Sequence, residues 1–394
     1  MNLKPAYRIP SIDLLRGLIM IIMALDHTRD YFHRDAFVFD PLDPEKTTAI
    51  LYFTRWITHF CAPIFILLAG TSAFLSGRRK TKKEQAIFLI KRGIWLVLLE
   101  LTLVNFFWFF NIHFNFFIFG VIWVLGLSMI GLAALSFLPR NAILLISLVM
   151  IFGHNLLDPI RTSGNNLTDL LWGILHQRKK FTAGDLTILE GYTLIPWMGV
   201  MALGYCIGNW FTPDFDPAKR KKILLRLGLL CWALFLVIRY INVYGNLTPW
   251  SSLNSLEKTL FSFFDLTKYP PSLDYLLVTE GGAFIFLALT EHAEGRLSKI
   301  ISVYGRVPMF YYLAHILLIH LLAMFAASVT GYSWSDMTGL HTWVDAAPNL
   351  QGYGFNLGTV YFIWISLVVL LYFPCRAYDR YKQAHKEKWW LSYL

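Results

Sequence analysis

The segment ALDHTRDYFH (24–33) contains titratable side chains arranged as a general base requires. His27 and Asp30 are three residues apart, so on a helix they share one face and the carboxylate can orient and polarise the imidazole. A group with a pKa near neutral pH and an orienting partner is suited to proton abstraction. The alternative interpretation is a hydrogen-bonded structural histidine at the end of a helix.

Arg16 shares a helical stripe with His27. The two residues are eleven positions apart, close to three whole turns, which separates them by about 16 Å along the helix axis. Asp13 lies three positions before Arg16, so the two can form an ion pair. Arg16 is therefore either a ligand-binding cation at one end of the stripe or one half of a structural salt bridge.

Further ionisable side chains lie inside apolar segments, where a charge is costly and marks a candidate functional site. Counted along their segments, six of them reach a depth similar to that of His27: Arg55, His59, Glu100, His154, His315 and His320. A shared depth does not show that they meet laterally. The same residue types would also suit a proton relay in a transporter.

The sequence does not predict a metal or nucleotide-phosphate site. His315 and His320 are five residues apart, which places them on different faces of a helix, and no HExxH motif occurs. No glycine-rich phosphate loop and no Gly-x-Ser-x-Gly elbow is present. The four cysteines lie singly in apolar stretches, so we expect neither disulfides nor metal ligands.

The composition indicates that membrane helices position these residues. Of 394 residues, 56% are hydrophobic and 15% are charged, against roughly 25% charged in an average soluble domain. This composition excludes a disordered chain and argues against a soluble one. We attribute the net charge of +10 to cytoplasmic loops rather than to nucleic-acid binding, so we expect no nucleic-acid partner.

We predict an all-α fold, a polytopic membrane helical bundle of about ten transmembrane helices that forms one domain over residues 1–394. A span needs about 20 mostly apolar residues. The candidate spans are 11–32, 48–76, 86–110, 115–138, 141–157, 190–211, 222–243, 272–291, 303–329 and 355–378. The first carries charged residues and no clear cleavage site, so we expect a retained helix rather than a signal peptide.

Basic residues concentrate in alternate loops, as the positive-inside rule describes for cytoplasmic loops. The runs GRRKTKKEQ (77–85), PAKRKK (217–222) and RAYDRYKQAHKEK (376–388) are basic, whereas the loop 330–354 contains no Lys or Arg. We therefore predict that both termini are cytoplasmic and that the larger loops face outward. The run QRKK (177–180) is an exception, because it falls in a loop that we place outside.

Several stretches together resemble the bacterial branch of the heparan-α-glucosaminide N-acetyltransferase-like membrane proteins, in the transmembrane acyltransferase superfamily. They are RIPSIDLLRGLIMIIMALDHTRDYF (8–32), FTRWITHFCAPIFILLAGTSAFL (53–75), GHNLLD (153–158), LIPWMGVMALGYCIG (194–208), KYPPSLDYLL (268–277), YGRVPMFYYLAHILLIH (304–320) and KWWLSYL (388–394). The spacing of Arg16, ten residues and His27 is also similar to the first helix of acyltransferase-3 proteins, members of the same superfamily.

The resemblance implies transfer of an acyl group, usually acetyl, from cytosolic acyl-CoA to an extracytoplasmic sugar or amino sugar. Acetyl-CoA is then the donor, no metal is needed, and the protein is a multi-pass component of the bacterial inner membrane. CoA phosphates would meet Arg16, Arg78 and Arg79. The pantetheine arm would run along a channel on the first-helix stripe, and the thioester would arrive near His27. His27 would deprotonate the acceptor or take the acyl group itself, with Arg55, His59 or backbone amides stabilising the oxyanion.

Alternatives stay open at this point. In the heparan branch the histidine credited with catalysis lies past the first helix, where the match here is His33, whereas the spacing from Arg16 favours His27. The alternative function is a proton-coupled transporter or permease, and a non-catalytic membrane scaffold is a third. The sequence leaves the oligomeric state undetermined, with a homodimer as one option.

Overall fold

The structure is a computed structural model that describes residues 9–36 and 38–392. Residues 1–8 and 393–394, which belong to the two termini whose side of the membrane is predicted above, lie outside the described residues. The α-helices are α1 (Pro10–Phe32), α2 (Ala49–Ile57), α3 (Cys61–Gly77), α4 (Lys82–Leu99), α5 (Asn105–Phe109), α6 (Val121–Leu135), α7 (Arg140–Gly153), α8 (Leu167–Leu175), α9 (Leu194–Ile207), α10 (Pro217–Ile241), α11 (Leu256–Phe264), α12 (Leu273–Leu289), α13 (Arg296–Arg306), α14 (Pro308–Val329) and α15 (Leu357–Ala384).

Each of the ten predicted spans contains an α-helix, and in six of them the described helical segment is long and apolar enough to cross a membrane. The six are Ala49–Gly77, Arg140–Leu157, Leu194–Phe211, Pro217–Ile241, Pro308–Val329 and Leu357–Ala384. The other four predicted spans correspond to α1 and α4, which carry several charged residues, and to α6 and α12, which have 15 and 17 residues. The count of ten therefore stays a prediction.

The prediction of an all-α chain is wrong in one respect, because the described residues include a small sheet. Its strands are β1 (Phe116–Phe119), β2 (Lys179–Ala183) and β3 (Leu186–Glu190), in the order β1-β3-β2. Strands β2 and β3 form an antiparallel hairpin, and β1 pairs with β3 in parallel. The predicted span 115–138 begins as β1 and not as helix. The sequence does not predict this strand, because the periodicity of a short apolar run does not distinguish a strand from a helix.

Helix α1 lies at the centre of the bundle, in contact with α3, α13, α14 and α15. Its contact with α13 is close because two glycines face backbone across the interface. A Cβ at Gly17 would lie 2.0 Å from the carbonyl oxygen of Ile301, and one at Gly305 would lie 2.0 Å from that of Asp13. Small residues allow membrane helices to approach in this way, and here they hold the helix that carries His27.

Two of the long helices change their hydrogen-bonding pattern partway. A 3-10 turn, Thr58–Phe60, joins α2 to α3, and a π-helical turn, Glu100–Val104, joins α4 to α5. Turns of the π type occur often at functional sites, because the extra residue rotates the side chains that follow. Both irregular turns occur close in sequence to predicted site residues.

We predict that Gly17→Ala lowers the free energy of unfolding by about 1–3 kcal/mol, because the new methyl group forces α1 away from α13. SDS titration of the purified protein would measure the change. Gly153→Ala is the matched control, since a Cβ there meets nothing within 4 Å. Equal stability of the two variants would contradict close α1–α13 packing.

Candidate active site

A cavity of about 410 Å³ lies at the carboxyl end of α1, within the range of roughly 300–1,000 Å³ found for small-molecule sites. Its wall combines α1, α2, the π-helical turn, α5, α14 and the loops between helices. His27 is on this wall. The charged residues of the wall are Asp26, Arg29, Asp30, Asp40, Arg55, Glu100, Arg178 and Lys268.

His27 is oriented by a second histidine. Its Nδ1 atom lies 2.8 Å from Nε2 of His315, and Nδ1 of His315 lies 2.8 Å from the carbonyl oxygen of Tyr311. A carbonyl oxygen only accepts, so Nδ1 of His315 carries its proton and Nε2 of the same neutral ring accepts from Nδ1–H of His27. The remaining nitrogen of His27, Nε2, then holds a lone pair, which is the state that a general base needs.

Aromatic rings fix the plane of the His27 imidazole. The His315 ring is nearly parallel to it at a centroid distance of 5.0 Å, and the Trp108 ring meets it edge-on at 4.8 Å. Tyr312 makes a further edge contact at 6.2 Å. Trp108 in turn contacts Trp343 at 5.5 Å. The base therefore lies in a wall of aromatic rings, a surface on which the apolar face of a sugar can stack.

The buried carboxylate of Asp26, next to His27 in the sequence, forms ion pairs with three cationic side chains. Arg55 donates to its two oxygens at 2.9 and 2.8 Å, and Arg29 donates at 3.2 Å. Nζ of Lys268 lies 3.9 Å from the same carboxylate. These pairs join α1, α2 and the loop before α12 at the cavity.

Asp30 does not have the partner that the sequence predicts. Its Oδ1 atom accepts from Arg29 at 2.7 Å, whereas the hydrogen bond that orients His27 comes from His315. Residue spacing favours Asp30 because side chains three positions apart share a helical face. The carboxylate of Asp30 pairs with the guanidinium of Arg29 instead of with His27, because an ion pair offsets part of the desolvation cost of both charges.

Glu100 also lines the cavity, as its depth suggests. It is buried at the start of the π-helical turn, and its Oε2 atom accepts from the backbone N–H of Trp123 at 3.0 Å. The carboxylate therefore satisfies one of the free N–H groups at the amino end of α6. The structure thus brings His27, Asp30, Arg55 and Glu100 to one cavity, with His315 directly behind His27.

Besides His315, four other predicted histidines do not line this cavity. His33 directly follows α1, and its Nδ1 accepts from the N–H of Asp35 at 3.3 Å. Burial lowers the pKa of its imidazole. His59 packs against Tyr275 at 5.2 Å. The remaining two are also buried, His154 beside His176 and His320 between the carbonyl oxygens of Phe107 and Met337.

The cations expected to bind CoA phosphates lie away from the cavity. Arg16 donates to Ser72 at 3.2 Å and to the carbonyl oxygen of Gly305 at 3.1 Å, and it pairs with Asp13 at 3.4 Å. Arg78 follows α3 on the surface and pairs with Asp214 at 2.9 Å, and its neighbour Arg79 is also exposed. The cavity is lined by residues of α1 only from Asp26 onward, so it does not extend along the helix as the predicted channel toward Arg16.

The cavity wall also contains a basic and aromatic group that the sequence does not single out: Lys268, Arg178 and Tyr269. Lys268 and Arg178 lie 5.3 and 5.0 Å from the ring centre of Tyr269. Burial alone would raise the pKa of Tyr269, but the positive charges of Lys268 and Arg55 bring it below its ordinary value. Arg178 belongs to the run QRKK, which is an exception to the charge pattern of the loops, and it lines the cavity.

The sequence gives only an indirect indication that Lys268 and Tyr269 belong to the site. The stretch KYPPSLDYLL contributes to the family resemblance, but no periodicity relates a loop residue to His27 more than two hundred positions earlier. Within residues 9–36 and 38–392, no group of three or more His, Cys, Asp or Glu side chains is placed to hold a metal ion.

The comparisons with known proteins give one family. A family model described as heparan-alpha-glucosaminide N-acetyltransferase, catalytic, matches residues 8–235, which is more than half of the chain. The matched region includes His27, Arg55 and Glu100, whereas His315 and Lys268 follow it. No curated protein matches the sequence.

We predict that Asp26→Asn lowers the free energy of unfolding by about 3–5 kcal/mol, because it leaves Arg55, Arg29 and Lys268 without their shared counter-charge. SDS titration would again measure the change. Asp214→Asn is the control, because that carboxylate is exposed and its pair with Arg78 contributes little. A D26N variant as stable as D214N would show that the buried cluster is not held by this carboxylate.

Proposed function

Because the chain belongs to the heparan-α-glucosaminide N-acetyltransferase catalytic family, we propose that it transfers an acetyl group from cytosolic acetyl-CoA to an extracytoplasmic amino sugar. The structural observation that carries this proposal is the His27–His315 hydrogen bond. It leaves an unprotonated ring nitrogen on the wall of a cavity of small-molecule size. The family and the six apolar helices indicate a multi-pass membrane protein.

We extend the proposal to the topology. Ten spans with both termini in the cytoplasm would place the carboxyl end of α1, and with it the cavity, on the outer side of the membrane. The loops that line the cavity, including those with Arg178, Lys268 and Trp343, are the ones that the charge pattern places outside. The proposed membrane is the bacterial inner membrane.

His27 would act as the general base. Its Nε2 atom takes the proton from the acceptor's amine or hydroxyl as that group attacks the thioester carbonyl carbon. The new C–N or C–O bond forms while the C–S bond breaks, and His27 returns the proton to the leaving thiolate. His315 stabilises the imidazolium that forms between these steps, because its Nε2 atom accepts from Nδ1–H of His27.

An acyl-histidine intermediate is the second possible route, and it would use the same nitrogen of His27 as the nucleophile. In either route negative charge develops on the thioester oxygen. We assign its stabilisation to Arg55 and Lys268, two cationic side chains of the wall that are both held by Asp26. His59 has no part in this stabilisation, because it does not line the cavity.

Arg16 has a structural role in this proposal. Its three contacts with Asp13, Ser72 and Gly305 hold α1 against α3 and α13, and none of them faces the cavity. Membership of an acetyltransferase family does not favour the proton-coupled transporter.

We predict that His27→Ala lowers acetyl transfer by about 10²–10⁴-fold, the usual contribution of a general base. Transfer is measured in liposomes with labelled acetyl-CoA on one side and a panel of amino sugars on the other. His33→Ala is the matched control and should keep most of the activity, since His33 lies off the cavity. An active H27A variant beside an inactive, folded H33A variant would reverse the assignment.

We also predict that His315→Phe keeps an aromatic ring beside His27 but lowers kcat by roughly 10-fold or more, because Nδ1–H of His27 loses its acceptor and the tautomer is no longer fixed. The KM values for both substrates should change little, since His315 is not on the cavity wall. An unchanged kcat would show that the pair does not orient the base.

A further inference from the structure

A second concave surface, here called the basic groove, lies between α13 and the last turns of α15. Its volume is about 570 Å³. Five of its lining side chains are cationic: Arg296, Lys299, Arg306, Arg376 and Arg380. The family match ends at residue 235, so none of these residues belongs to the matched region.

The charge of the basic groove is largely uncompensated. Arg306 donates to Asp379 at 2.8 Å. Among the described residues no ion pair neutralises the other four cations, all of which are exposed. Arg376 and Arg380 are four positions apart on α15, and like charges at this spacing repel. A multiply charged anion would relieve that repulsion.

The basic groove is connected to His27 by a series of ring contacts. Tyr372 on its wall contacts Tyr304 at 6.2 Å, and Tyr304 contacts Tyr311 at 5.1 Å. The ring of Tyr311 lies 5.1 Å from that of His315, measured between ring centres, and His315 is hydrogen-bonded to His27. The rings of Tyr304, Tyr311 and His315 therefore lie one after another between the basic groove and His27.

We propose that the basic groove binds the phosphate groups of the CoA nucleotide. The inference rests on the proposed function for the nature of the donor. The nucleotide carries a diphosphate and a 3′-phosphate, and guanidinium groups bind phosphates through paired N–H donors. Arg296 and Lys299 lie on α13 and the pair Arg376 and Arg380 on α15, so an anion in the groove meets cations on both sides.

The position of the basic groove also fits a donor that arrives from the cytosol. Arg376 and Arg380 belong to the basic run 376–388, which the charge pattern places inside. Arg296 and Lys299 lie between the predicted spans 272–291 and 303–329, which the same topology also places inside. Arg78 and Arg79, the cations that the sequence favours for this role, do not line it. The rings of Tyr304 and Tyr311 are buried between the groove and His27, so passage of the pantetheine arm requires these side chains to rotate.

The test is a binding measurement on the full-length protein in nanodiscs of phosphatidylcholine. Isothermal titration gives the Kd for CoA and for 3′-dephospho-CoA with wild type, R376Q/R380Q and R296Q. We expect wild type to prefer CoA, and R376Q/R380Q to weaken CoA binding about tenfold or more and to lose that preference. The control K221Q/K222Q removes two exposed charges from another predicted cytoplasmic segment and should bind CoA within about twofold of wild type.

Each contrary outcome has a separate meaning. If R376Q/R380Q and R296Q both bind CoA as wild type does while R78Q/R79Q does not, the CoA phosphates bind at Arg78 and Arg79, which follow α3, and the inference is wrong. If CoA binding is unchanged but stabilisation by added phosphatidylglycerol is lost in R376Q/R380Q, the groove binds a lipid headgroup instead. If wild type itself binds no CoA, the proposed function fails at its donor, and this inference fails with it.

Discussion

The pairing of one buried carboxylate with three cations holds the candidate site together. Asp26 precedes His27 in α1, and its partners Arg29, Arg55 and Lys268 come from three parts of the chain. Charges in a low-dielectric interior interact strongly, and each is costly to bury alone. The cluster therefore fixes the carboxyl end of α1 against α2 and the loop before α12, and this determines where His27 faces.

Helix irregularities serve the same site. The 3-10 turn after Arg55 and the π-helical turn that begins at Glu100 change the direction of side chains in otherwise continuous apolar helices. In a bilayer, backbone groups need internal partners, so such breaks survive only where protein surrounds them. Glu100 shows one solution, since its carboxylate accepts from the amino end of α6 while it lines the cavity.

The orientation of His27 illustrates the limit of reasoning from spacing. A carboxylate three positions away is a plausible partner on an isolated helix, but Asp30 is paired with Arg29. The partner that the structure provides, His315, is nearly three hundred positions later. Depth counting does place both histidines at a similar level, which is a necessary condition for their contact. It cannot choose among His59, His154, His315 and His320, because depth gives one coordinate of three.

The sequence by itself determined the class of protein, the largely helical character of its apolar segments and the resemblance to the heparan-α-glucosaminide N-acetyltransferase family that the family match confirms. These depend on composition, local periodicity and motifs, which lie along the chain. Tertiary structure alone decided that Lys268 and Arg178 share a cavity with His27, and that four uncompensated cations meet across α13 and α15. Such groupings depend on how helices pack laterally, and that is set by glycine contacts and buried ion pairs between residues far apart in sequence.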